Sequence, residues 1–173
     1  MSRAAALILS DRMNREDKST RHSKIAGDFG ETLVLYWLSK NRFECAKVDH
    51  TGIDLIARNP HTREVMGISV KSRTRSEGTE KERVNLPTGD FDKIEAACLA
   101  FNCAPYIAVV VDGGNSIRVF ITSVAHALEL CPRTPAGSGW RMSDGSLTLY
   151  SNDPQVMAFK LESTVGRWWK SRG

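Results

Sequence analysis

Two short runs carry the residues best suited to chemistry: Gly52-Ile53-Asp54-Leu55-Ile56-Ala57 and, beyond a turn at Asn59-Pro60, Gly67-Ile68-Ser69-Val70-Lys71-Ser72. Both have strand composition, and the turn between them makes a hairpin. Side chains alternate faces along a strand, so Ser69 and Lys71 share one side while Ile68 and Val70 share the other. A suitable register brings Asp54 to join them. An acid and an amine on a buried hairpin are unfavourable there unless they pair, hold a metal or act on a substrate. Arg73 and Arg75 continue the second strand one step apart and, with Lys24, are candidate contacts for phosphate groups.

The elements that must position these residues follow from periodicity. Phe29, Leu33 and Tyr36 or Trp37 recur at helical spacing from Ile25 to Leu38, with Asn41 as a stop. Phe43–Val48, the Asp54 run and 65–72 read as strands. Arg73–Thr88 is polar and broken by Gly78 and Pro87, a long loop beside the hairpin. Ile94, Ala97, Cys98 and Phe101 mark an amphipathic helix over 90–101. Tyr106–Val111 and Ile117–Ile121 are strands joined by the Asp112-Gly113-Gly114-Asn115 turn. Ser123 is a helix cap, Pro132–Gly139 a linker, and two short strands are expected at Leu147–Tyr150 and Val156–Leu161. The first residues read as a short apolar helix, Ala4–Leu9, followed by an arm.

This order implies an α/β domain, a central mixed sheet flanked by helices with a C-terminal β/tail appendage. The expected division is an N-terminal arm (1–23), one domain (24–131) and an extension (132–173) that packs on the domain or on a partner. At 173 residues one core suffices. The basic charge sits at the ends, with six Lys/Arg against three acids in 1–24 and four against one in 160–173, and around Lys71 to Arg83, for a formal net charge of +4. That balance favours nucleic acid or an acidic surface. Cys45, Cys98, Cys103 and Cys131 form no Cys-x-x-Cys pair or zinc-finger spacing, which points to reduced thiols. No apolar run reaches the ~20 residues of a membrane span. A cytoplasmic protein is expected.

The motifs Gly27-x-x-Gly30-Glu31 opening a helix, Gly52-x-Asp54-Leu55-Ile56-Ala57 and Ser69-x-Lys71 resemble the PD-(D/E)XK nuclease superfamily, most nearly its archaeal Holliday-junction resolvases and small restriction-endonuclease-like proteins. The resemblance covers about residues 24 to 125. It implies a restriction-endonuclease-like fold, Mg²⁺ or Mn²⁺ bound by Asp54 and Glu31, and Lys71 assisting the attacking water. It further implies a DNA substrate, branched or otherwise structured, and a homodimer. Bound metal activates water and neutralises phosphate charge, and a lysine adds a compact cation beside it.

One position departs from the family pattern. Ser69 stands where Glu or Asp is usual, and a hydroxyl is a poor Mg²⁺ ligand. Three readings stay open: Asp54 and Glu31 suffice, because Mg²⁺ often takes only one or two protein carboxylates; an acid comes from elsewhere, with Glu80, Glu82 and Glu95 as candidates; or the site is a relic in a catalytically degenerate protein that binds DNA or assembles without cutting. Each residue also has an ordinary role to set against these. Asp54 and Lys71 could be a structural ion pair, Glu31 a first-turn acid, Gly27 and Gly30 packing positions, and His50 a solvated loop residue. Trp168-Trp169 with Arg167, Lys170 and Arg172 offers stacking surface for single strands, or cover for an apolar groove.

Overall fold

The computed structural model describes residues 20–162, so the expected Ala4–Leu9 helix and the Trp168-Trp169 tail lie outside the described residues. Its centre is strand β3 (Val65–Thr74), with β2 (Ile53–Arg58) on one side and β5 (Ala104–Asp112) on the other. β1 (Glu44–His50), β6 (Ser116–Ser123) and β8 (Met157–Glu162) complete a six-stranded sheet in the order β1-β2-β3-β5-β6-β8. All neighbours run antiparallel but β3 and β5, which are parallel. A parallel pair needs a long crossover, and helix α2 (Thr88–Phe101) supplies it.

Each face of the sheet buries its own apolar layer. Helix α1 (His22–Lys40) lays Val34 and Leu38 on Leu55, Ile68, Val110 and Val119. On the other face α2 lays Phe91 and Ile94 on Ile107, Val109 and Phe120. The α1 helix begins three residues before the Ile25 periodicity predicts, so Gly27 and Gly30 lie within it instead of opening it. Gly30 is a packing position: a side chain there would collide with Ser72 Oγ on β3, whereas Gly27 faces open space.

Three sequence expectations are corrected. The loop 73–88 contains a strand, β4 (Val84–Leu86), which pairs with β7 (Ser138–Trp140) inside the predicted linker. Three alternating residues are too short a pattern to read, but Val84, Leu86 and Trp140 are all buried. The predicted strand Leu147–Tyr150 is part of helix α4 (Asp144–Asn152), because Ser143 Oγ accepts from the Ser146 N–H and caps it. Through residue 162 the C-terminal region expected as an appendage is built into the domain: β8 is the sixth strand, and Trp140 stacks on Tyr150 with ring centroids 4.3 Å apart beneath α2. Ser123 does cap the short helix α3 (Val124–Leu130), accepting from the His126 N–H. No described helix is long and apolar enough to cross a membrane.

Candidate active site

Asp54 stands at the start of β2, just after a turn that only glycine accommodates. Gly52 has φ 108°, and a Cβ there would strike the Lys93 carbonyl of α2. The β2–β3 register pairs Leu55 with Ile68, and one step further Asp54 reaches across to β3. Its Oδ2 accepts the Val70 N–H at 2.6 Å, and the buried Ser69 hydroxyl donates to the same carboxylate. Burial pushes the Asp54 carboxyl above the usual range, with the Val70 N–H pulling it down, Glu31 pushing it up, and Lys71 and Ser69 pulling it down. The carboxylate is therefore half-buried between one acid and one amine whose charges it feels.

That acid and that amine approach from opposite faces. Lys47 on β1 is opposite Leu55, in the α1 layer, and its Nζ lies 2.6 Å from Glu31 Oε2. Lys71 lies beside Val109, in the α2 layer, and its Nζ lies 3.0 Å from Asp90 Oδ2 in the first turn of α2. Glu31 and Lys71 are thus each held by a partner that the sequence reading did not name. The Lys47 amine is raised above its ordinary range by the Glu31 hydrogen bond, with Asp28 and Asp54 adding to that. Signals for both partners were present but weak: Lys47 alternates with Cys45 on a strand, and Asp90 follows Pro87, a common helix entry.

The remaining predicted residues lie further out. The Arg75 guanidinium folds into its own loop, donating to the Glu82 carboxylate and to the Glu82 and Arg83 carbonyls, so it is a loop brace. Arg73 is exposed, with Nη1 on the Ser72 carbonyl. Lys24 is exposed and 3.4 Å from Asp28. Of the acids considered as substitutes for the one absent at Ser69, Glu80 receives the Gly78 N–H, Glu82 holds Arg75 and Glu95 is exposed on α2. The acid that stands beside the lysine is Asp90. His50 lies on β1 with its ring edge-on to Phe101.

Among the described residues no group of three or more Asp, Glu, His or Cys side chains is assembled for a metal. The residues nevertheless fit a divalent cation of the Mg²⁺ type. The Glu31 charge disfavours ionisation of the half-buried Asp54 carboxyl, and a cation relieves that; two carboxylates plus waters meet the usual requirement.

No protein-family model matches the chain, and no curated protein matches it. A solved structure does: Hjc of Archaeoglobus fulgidus, described as a Holliday junction resolvase from an archaeal hyperthermophile, at TM-score 0.52 and 18% identity over 71% of this chain and 88% of that one. The shared feature is the fold. The mixed sheet flanked by helices is the restriction-endonuclease-like arrangement expected from the motifs.

Proposed function

We propose that this protein is a divalent-metal-dependent nuclease that hydrolyses phosphodiester bonds of DNA. The observation that carries this reading is the Asp54 carboxylate, fixed by the Val70 N–H on one side and subject to both the Glu31 and the Lys71 charge. Asp54 and Glu31 are the residues that would hold Mg²⁺ or Mn²⁺, and the bound ion supplies charge neutralisation and an acidified water. Lys71 offers a cation to the phosphate oxygens, and Asp90 keeps its Nζ from swinging away. Arg73 and Lys24 lie outside this centre, where phosphates flanking the scissile bond would pass. The fold likeness to a Holliday junction resolvase favours a branched or structured DNA and a homodimer with two sites.

A second reading has its own observation. Glu31 and Lys71 are both neutralised by internal partners, as they would be in a degenerate nuclease fold that binds DNA or assembles without cutting. Mn²⁺ titration followed by nicking of supercoiled plasmid and of a four-way junction separates the two. A nuclease binds Mn²⁺ and cuts, and Asp54→Ala loses both. A wild-type protein that binds no Mn²⁺ and leaves every DNA form intact has only the second role.

A further inference from the structure

Lys47 has no task in the reading above, yet it is the cation that Glu31 already holds. Its Nζ sits 2.6 Å from Glu31 Oε2, and its charge also interacts with Asp28 and Asp54. Asp28 has a second partner, Lys24, at 3.4 Å, whereas Asp54 takes hydrogen bonds from Val70 and Ser69 and feels the Lys71 charge without a salt bridge to it. The side chain of Lys47 is 48% exposed and that of Glu31 20%, so the ammonium approaches the carboxylate from the solvent side. A lysine stem of four methylenes can swing its head back into water without disturbing the strand that carries it. An exposed ion pair is weak enough to be exchanged.

We propose that Lys47 is a resident cation of this site: its ammonium occupies the Glu31 side of the Glu31/Asp54 pair, and a divalent ion must displace it to bind. This rests on the reading of Glu31 and Asp54 as the metal-holding pair. Lys47 then sets how much divalent metal the protein needs. The two carboxylates stay neutralised while metal is scarce, and the site loads only when a doubly charged ion at sufficient concentration outcompetes a single ammonium.

The test is Mn²⁺ affinity, read from the electron paramagnetic resonance of free Mn²⁺, for wild type, Lys47→Met, Lys47→Arg, Asp54→Asn and, as a distant control, Lys81→Met, whose partner is Asp144. Lys47→Met should bind about fivefold more tightly, the scale of one partly exposed ion pair that the metal no longer has to break. Lys47→Arg should stay close to wild type, Lys81→Met should be unchanged and Asp54→Asn should bind nothing. A parallel nuclear magnetic resonance experiment follows the Lys47 ammonium protons, which should be slow to exchange in the metal-free protein and lost on saturation with Mg²⁺. If Lys47→Met binds Mn²⁺ no more tightly than wild type while Asp54→Asn abolishes binding, the metal site stands and the resident-cation role is overturned. If no form binds Mn²⁺, the metal reading itself falls.

Discussion

The two ends of α2 are held by different physics. Toward its middle and C-terminus, Ile94, Ala97 and Cys98 press into an apolar layer that also holds Trp140 and Tyr150. At its first turn Asp90 meets Lys71 in a pair that is about one-quarter exposed on each side, and across the sheet Glu31 meets Lys47, whose side chain is about half exposed. Apolar burial at ~25 cal/mol per Å² carries the first region, and partly exposed ion pairs of roughly 0–1 kcal/mol carry the second. The scaffold is therefore robust where it holds no chemistry. Charges can be altered at the site with little consequence for the fold.

The contrast is broken most severely from the apolar side. Trp140→Ala empties a fully buried site against Phe120 and Tyr150, and should lower unfolding free energy by about 3–5 kcal/mol in urea denaturation. Asp54→Asn makes the opposite point: the amide oxygen still accepts the Val70 N–H, a half-buried charge beside Glu31 is gone, and thermal stability should rise by the equivalent of about 1 kcal/mol while plasmid nicking disappears. A stability loss there would show that the carboxylate is a structural ion-pair member.

A third region sharpens the comparison through pH. His126 is buried on α3, with Nδ1 2.8 Å from Glu129 and Nε2 2.8 Å from Asp153. Two carboxylates on one ring demand the imidazolium, and hydrogen bonds to Asp153 and then Glu129 raise its pKa above 6.5. A raised folded-state pKa gives stability that is full below 6.5 and lost as pH rises through the folded value. The destabilisation caused by His126→Gln should therefore be larger at pH 6 than at pH 9, measured by thermal melts. The smallest effect is expected of Asp90→Asn: under ~1 kcal/mol of stability, as for other exposed pairs, yet a clear fall in nicking rate because the tether on Lys71 loses its charge. Equal rates for Asp90→Asn and wild type would reduce that pair to surface electrostatics.

Local pattern was enough to read the hairpin that carries Asp54 and Lys71, both long helices and the β5–β6 turn, because each is written in adjacent residues with a clear period. Glu31 was legible as a helix residue of the site, though not as the tenth residue of its helix, because polar residues at 22–24 hide the start. What could not be read depends on register between distant strands. Lys47 meets Glu31 only because β1 pairs as it does with β2, and Asp90 meets Lys71 only because α2 enters over the end of β3. The search for an acid to replace the one absent at Ser69 turned to glutamates by residue type, while the structure brings an aspartate from a helix entry. β4 and β7 escaped for a similar reason, since each is three residues long and meaningful only when paired.

The parallel pairing of β3 with β5 sets the order in which the molecule can assemble. Residues 22–74 hold α1 and the β1–β2–β3 meander, whose contacts are near in sequence and form quickly, and they already contain Glu31, Lys47, Asp54 and Lys71. Asp90 and the strand beneath Lys71 arrive only after the crossover closes, at a higher entropic cost. The groups of the proposed site would thus be gathered early, with Lys71 untethered until the β3–β5 crossover closes. A folding intermediate lacking β5 would hold Glu31 and Asp54 without a positioned Lys71, so the nicking proposed for this protein would report completion of the native topology.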